Sequence, residues 1–362
     1  MFHTCPMDHS GRRSIGRGVA SNPVGRFERH GREAVDDGWD LVEELPPLRT
    51  EVAEERARRI IARNTSPDIS FDRSINPYRG CEHGCVYCFA RTSHAYLGMS
   101  PGLDFETKLI ARPNAAELLD AELRRPSYVC DTIAIGTNTD AYQPIERDRR
   151  VMRGVLEVLQ QFRHPVAIAT KGALIERDVD ILSEMGGAAL ARVGLSVTTL
   201  QPEVSRKMEP RVPSPARRLR TIERLAKAGV PVRVMISPIV PGLTDHELEG
   251  IVTAARDAGA VAASMIPIRL PREVSDLWQS WLREHYPERE ERVMSKLRDM
   301  HGGKPYEAEF GKRMRGEGVW AKLLQQRFNR AVRAAGLAET LPPLRRDLFE
   351  VPLARGDQLA LF

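Results

Sequence analysis

The sequence predicts an α/β protein assembled from repeated βα units, and three observations lead there. Short β-branched runs, TIAIGT, PVAIAT, ARVGLSV, PVRVMIS and VAASMIP, alternate between about residues 70 and 270 with helical stretches such as RDRRVMRGVLEVLQQF and PARRLRTIERLAKAG. A further run at about 70–76 makes six strands, and strands separated by helices pair in parallel. The segments that follow the runs, RGCEHGCVYC, TNTDAYQ, TKG, SVTTLQPE, SPIVPGLTD and PIRLP, are polar or punctuated by Gly and Pro. Six such units suit either a doubly wound sheet or an open, partial (βα) barrel. In both folds ligands sit at the carboxyl ends of the strands, so one face collects the chemistry.

Residues 1–48 are rich in Gly, Arg, Asp and Pro without apolar periodicity and read as a mobile extension. Its charge is segregated: residues 1–32 carry six Arg against Asp8 and Glu28, and residues 33–55 carry nine acids against Arg49. A helix is expected over 50–63, capped by Thr50, with Glu51, Glu54 and Glu55 at its start and Arg56, Arg58, Arg59 and Arg63 at its end. This divides the chain into an extension with one helix (1–64), a core (65–270) and a helical, basic C-terminal region (271–362). In that last region Trp320, Leu324, Phe328, Val332 and Ala335 form one stripe, with Gly336 as a stop. Residues 296–333 hold ten Lys or Arg against four acids, which reads first as a solvated helix face and second as a nucleic-acid surface.

With 362 residues the chain can bury a full core without disulfides. Five cysteines form no even framework, and the N-terminus lacks the pattern of a signal peptide, so a cytoplasmic location is expected. Apolar stretches such as VPVRVMISPIVPGL are broken by Arg or Pro before a membrane span is reached. No membrane partner is expected, and a net charge of +5 with pI near 9.0 permits a polyanionic one.

Three of the five cysteines, Cys81, Cys85 and Cys88, fall within NPYRGCEHGCVYCFAR as CxxxCxxC. Zinc is one reading, with His83 or His94 completing a Cys3His site, but structural zinc sites pair two knuckles and a second is missing from the sequence. An iron-sulfur cubane is the other, because three thiolates on four irons leave one iron open to a small ligand.

The loop position of CxxxCxxC after the first strand, with Tyr87 just before the third cysteine, resembles the radical S-adenosylmethionine (SAM) superfamily. The resemblance implies a partial (βα)6 TIM-like barrel carrying a [4Fe-4S] cluster on Cys81, Cys85 and Cys88. It also implies that SAM is cleaved reductively to a 5'-deoxyadenosyl radical, with a donor such as flavodoxin or ferredoxin supplying the electron. SINPYRGCEHGCVYCFAR, GTNTDAYQPIE, ATKG and SVTTLQPEVSRKMEPRVPSPARRLRTIERLAKAGVPVRVMISPIVPGLTD are similar to the branch of spore photoproduct lyase and the DNA repair photolyase-like proteins, over about residues 65–270. From that branch Thr139, Lys171 and Ser196 are carried over as SAM contacts, with Tyr87 near the adenine. A lysine at a strand end suits a carboxylate, and hydroxyls both donate and accept.

The sequence also departs from the branch. Thr137 stands where the lyase has its hydrogen-donating cysteine, and a threonine O–H bond is too strong for that role. Phe89 replaces the lyase's second tyrosine, Cys130 precedes the second strand and so faces the opposite end, and Cys5 lies in the extension. Spore photoproduct repair itself is therefore not expected. Tyr142 and Asp140 are candidates for hydrogen transfer or proton handling, against a plainer reading as a loop anchor and a helix cap. Glu209 and Asp245 sit on loops of the same face without an assigned role. The leading expectation is a lyase-like radical SAM enzyme acting on DNA or RNA. A small-molecule or protein substrate is the alternative, and a zinc-bound nucleic-acid-binding module the alternative of another class.

Overall fold

Alternating burial turns the β-branched runs into strands. Along Val166–Thr170 and Val232–Ile239 buried and half-buried residues follow each other. A period of two sends one set of side chains inward and the other toward the flanking helices.

In the computed structural model, which describes residues 16–28 and 48–353, the strands are β1 (Glu51–Glu54), β2 (Ile61–Arg63), β3 (Arg73–Ile75), β4 (Tyr78–Arg79), β5 (Lys108–Ala111), β6 (Ile133–Ile135), β7 (Val166–Thr170), β8 (Ala191–Ser196), β9 (Val232–Ile239) and β10 (Ala262–Pro267). The main sheet has the order β10-β9-β8-β7-β6-β3-β2. Its six strands β3 and β6 to β10 are parallel, and these are the six that the sequence predicts. β2 adds antiparallel to β3. The sheet has two separate edges, β10 and β2, and is open as a partial barrel is. β1, β5 and β4 form a small second sheet.

The helices in chain order are α1 (Asp104–Thr107), α2 (Ala115–Leu123), α3 (Glu146–Arg149), α4 (Val151–Gln161), α5 (Val179–Gly187), α6 (Pro202–Met208), α7 (Pro215–Lys227), α8 (Leu248–Asp257), α9 (Glu273–His285), α10 (Glu290–Met300) and α11 (Gly318–Ala334). α2, α4, α5, α7 and α8 lie in the crossovers, and their apolar residues join those of the strands in one continuous core. A second core forms around the cysteine loop, where Val86 and Tyr87 meet Met208, Val240, Leu243 and, from α9 and α10, Trp278, Leu282 and Leu297. Each large side chain so buried contributes about 1.5–3 kcal/mol. No helix among the described residues is long and apolar enough to cross a membrane.

The helix expected over 50–63 is absent; β1 and β2 occupy its place. Its charges suit helix ends, but only Ile60 in this window is buried, so no apolar face repays a helix. Backbone partners win instead: β1 pairs parallel to β5, and β2 completes an edge on β3. The expected cap, Thr50, donates its hydroxyl to Glu82 Oε1 at 2.6 Å.

Within the N-terminal extension residues 16–28 are packed rather than free. Gly18 N donates to Glu106 Oε2 at 2.9 Å, Asn22 Nδ2 to Asp104 Oδ1 at 3.0 Å, and Val19 is buried. Cys5 lies outside the described residues.

The C-terminal region is helical through α11, where Leu324, Phe328 and Val332 are buried and Gly336 ends the helix at φ +68°. Beyond it the chain runs extended along the amino ends of the barrel strands. Ala338 bridges to the start of β10, Arg345 N donates to Ala189 O before β8, and Glu350 N donates to Phe162 O before β7. Phe349 lies against Phe162, Tyr128 and His164.

Candidate active site at the cysteine loop

The loop after β3 is shaped by backbone bonds before any side chain acts. Cys81 N donates to Phe105 O at 2.9 Å, Gly84 N to Cys81 O at 3.3 Å, Cys88 N to Cys85 O at 3.2 Å, and Arg91 N to Cys88 O at 3.2 Å. Gly84 adopts φ +66°, and a Cβ on Gly18 would lie 1.6 Å from Gly84 O, so the N-terminal segment touches the loop as only glycine permits. Arg91, fully buried, divides its donors between this loop and residues 101–106. Nε reaches Cys85 O, Nη1 reaches Pro101 O and Gly102 O, and Nη2 reaches Gly84 O and Glu106 Oε1, at 2.5–3.1 Å. Buried Gln143 clamps the other side, accepting from Glu82 N and donating to Gly80 O.

All three thiols are free, Cys81 and Cys85 buried and Cys88 half-buried. Burial pushes each of them up; the charges of Asp140, Cys85 and Cys88 push Cys81 further, and Glu209 pushes Cys85. Three free thiols within eight positions, neutral while the site is bare, would give up their protons to a metal's positive charge, so the donor set fits a cluster. Among the described residues no three of His, Cys, Asp and Glu are grouped so as to hold a single metal ion. A cubane takes its thiolates on separate irons and does not need that proximity. The histidines weighed for zinc have other partners: His83 Nδ1 lies 3.3 Å from Asp140 Oδ2, and His94 Nε2 lies 3.0 Å from Lys108 O.

Three of the four expected SAM contacts come together. Lys171, at the end of β7, places Nζ 3.4 Å from Ser196 Oγ at the end of β8 and 5.8 Å from the centre of the Tyr87 ring. Burial lowers the Lys171 pKa, but Cys85, Glu209 and Asp140 more than offset this and keep the ammonium charged. The Ser196 hydroxyl lies 3.0 Å from Ser237 O and 3.3 Å from Met235 O. Thr139 stands apart from this group, its hydroxyl donating to Tyr78 O at 2.9 Å beneath the cysteine loop.

Asp140 and Tyr142, the candidates for hydrogen transfer or proton handling, are engaged in structure. Asp140 accepts from Tyr142 N, Thr170 Oγ1 and Lys171 N at 2.6–2.9 Å. Burial raises its pKa, yet His83 and these donors outweigh burial and hold it at about 2. The Tyr142 hydroxyl donates to Asp178 Oδ2 at 3.1 Å inside the core. Thr137 and Phe89 line this end, Phe89 exposed, whereas Cys130 precedes β6 at the opposite end.

Glu209 proves central. It is buried and accepts from the Tyr87 hydroxyl, from Thr198 Oγ1 at 3.1 Å and from Arg218 Nη2 at 2.6 Å. Burial raises its pKa, but Arg218 and Lys171 prevail and keep it ionised. Arg218 also donates to Ser196 O and Ser205 Oγ. Its signal in sequence is an Arg on the stripe Arg218, Ile222, Leu225, where an amphipathic helix otherwise buries apolar residues. Asp245, by contrast, sits 3.9 Å from Lys296 and accepts from Gly242 N, away from the cysteines. Arg91 and Glu106 carry no periodic signal that sequence reasoning could use.

The chain is similar to several known proteins. An uncharacterised protein of Mycobacterium tuberculosis is 35% identical over 240 residues, covering 66% of this chain and 69% of its own. An uncharacterised protein of Methanocaldococcus jannaschii is 28% identical over 173 residues, covering 48% and 62%. Among solved structures, a spore photoproduct lyase mutant with bound AdoMet and dinucleoside spore photoproduct superimposes with TM-score 0.57 over 79% of this chain and 80% of that one. At 14% identity that likeness is one of fold. The family model described as the radical SAM superfamily matches residues 75–255, from the last residue of β3 into α8, and with half its length so matched the chain belongs to the radical SAM superfamily.

Proposed function

We propose that this enzyme holds a [4Fe-4S] cluster on Cys81, Cys85 and Cys88, binds SAM beside it, and abstracts hydrogen from a nucleic acid in a repair or modification reaction. The observation that carries the reading is the meeting of Lys171, Ser196 and Tyr87 next to Cys85. When bound, the cluster supplies the single electron that cleaves the sulfonium of SAM.

The protein's part is binding and orientation. Lys171, charged although buried, meets the carboxylate of SAM, and Ser196 offers its hydroxyl oxygen to the polar groups, while Thr139, bonded to Tyr78 O, supports the cysteine loop from behind. Tyr87 presents its ring to the adenine, and the bond to Glu209 fixes that ring. Asp140 ties the ends of β6 and β7 together, so that Lys171 is held where it is needed. Residues 65–270 form the catalytic unit in this reading, reduced by a flavodoxin-like or ferredoxin-like donor.

The nucleic-acid substrate is supported by the fold shared with a lyase that binds a dinucleoside photoproduct and by a net charge of +5. Thr137 and Phe89, in place of the lyase's cysteine and tyrosine, argue for a reaction other than spore photoproduct repair. The test is anaerobic reconstitution with iron and sulfide, reduction with dithionite, and chromatography for 5'-deoxyadenosine. A brown protein should form it, Cys85→Ala should not, and DNA or RNA should accelerate it. A colourless protein that binds zinc and leaves SAM intact would overturn the proposal.

A further inference from the structure

Four large aromatic side chains are exposed among the described residues, Phe27, Phe89, Tyr96 and Phe310, at 42–67%. Every one has an arginine over its face. Arg26 Cζ lies 5.4 Å from the centre of Phe27 and 5.5 Å from that of Tyr96, Arg269 lies 5.1 Å from Phe89, and Arg313 lies 4.5 Å from Phe310. Single exposed apolar residues need no explanation, but four rings that all carry a guanidinium form a pattern.

The pairs are joined into one strip beside the cysteine loop. Phe89 follows Cys88 directly and opens the 3-10 turn Phe89–Leu97, which contains Tyr96. Phe27 packs on Tyr96 at 5.3 Å, and Arg26 pairs with Glu273, four residues beyond Arg269. Arg269 Nη1 touches Met314 at 2.9 Å, next to Arg313, and both arginines lie within electrostatic reach of Asp68. Residues 311–314 thereby tie the β10 edge of the open sheet to the connection between β2 and β3.

We infer that this strip is a stacking platform for unpaired bases of single-stranded DNA leading to the cysteine loop, an inference that rests on the nucleic-acid reading above. Bases stack on aromatic faces and on guanidinium planes, and arginine adds attraction for phosphate. Arg269 is in no ion pair among the described residues; its Nε is buried and its Nη1 meets the Met314 sulfur, so its positive charge is not cancelled by a carboxylate. The strip's carboxylates, Asp68 and Glu273, are engaged by Arg313 and Arg26, which leaves them poorly placed to read a ribose 2'-hydroxyl. That favours DNA over RNA.

The test is fluorescence anisotropy of the full-length, reconstituted protein with a labelled oligothymidylate of about 15 nucleotides. A matching oligouridylate and a duplex serve as competitors, between about 50 and 200 mM salt. Tyr96→Ala and Phe310→Ala should each weaken oligothymidylate binding roughly ten-fold with the salt slope unchanged. Arg269→Gln should flatten the slope by about 0.7. Tyr96→Phe should bind as the parent does and Tyr96→Leu should not, with iron content checking that each variant is folded. Tight binding that ignores all these changes overturns the strip and leaves the nucleic-acid reading standing. Tighter binding of oligouridylate or duplex overturns the choice of single-stranded DNA. Absence of binding to any of the three probes overturns the strip and the nucleic-acid reading together.

Discussion

The two ends of the barrel are each covered by one end of the chain, and the covers differ in kind. At the carboxyl end of the strands residues 16–28 lie over the cysteine loop through polar and charged contacts to Glu106, the partner of buried Arg91, with Val19 set in the apolar cluster of Val86 and Tyr87. At the amino end residues 338–353 are fastened by backbone bonds and by Phe349 set among Phe162, Tyr128 and His164. An aromatic contact tolerates small shifts, whereas a five-bond guanidinium fixes positions to a few tenths of an ångström. The precise cover sits where a cofactor must be oriented and the tolerant one where only exclusion of water is required.

The largest effect should come from breaking the buried pair. Arg91→Ala leaves the buried Glu106 carboxylate without its countercharge, with Gly18 N still donating to it, at a cost of about 3–5 kcal/mol. A lowered denaturation midpoint and loss of iron on desalting are expected; an unchanged midpoint would mean the pair is not the anchor of that end.

Next is acid. Burial lowers the His164 pKa from 6.5 to about 4, where its Nδ1 faces Pro165 O and its Nε2 faces the Tyr128 hydroxyl. Because the unfolded chain takes up a proton that the folded one refuses, stability is full above about pH 6.5 and falls as pH drops toward 4. At about 1.4 kcal/mol per unit the loss approaches about 3 kcal/mol. His164→Gln should flatten this limb of a melting-temperature profile, and an equally steep limb in the variant would assign it to other groups.

Phe349→Ala should cost about 2 kcal/mol, the half-buried share of a phenylalanine truncation, while iron content stays at the parent level. Iron loss equal to that of Arg91→Ala would erase the distinction between the two ends. The smallest effect is expected on the surface: Arg298, 3.3 Å from an exposed Glu291, should cost no more than about 0.5 kcal/mol as Arg298→Ala, and a multi-kcal shift would contradict its exposure.

The same contrast governs what was legible in the sequence. The six parallel strands announced themselves because a period of two needs no knowledge of distant residues, and the cysteine loop because CxxxCxxC follows the first of those strands directly. Residues 50–63 were misread because their partners, β5 and β3, lie outside any local window. The strap through LPPLRRDLFEVPL has no periodicity, and its bonds go to Ala189 and Phe162. Of the ten basic residues in 296–333, six are in ion pairs, so most of that local charge excess is already spent within the chain. Glu209 could be placed on the right face but not in its role, since Arg218 and Tyr87 meet it only in three dimensions.

Arg26 and Glu273 are separated by 247 positions, and that distance is also a delay. A ribosome adding about 5–20 residues per second finishes the cysteine loop long before it reaches Glu273, which follows Arg26 by on the order of 10–50 s. Part of the chain made first is thus fastened late. Through that interval the thiols have been synthesised while the Arg26–Glu273 latch of their cover cannot yet close.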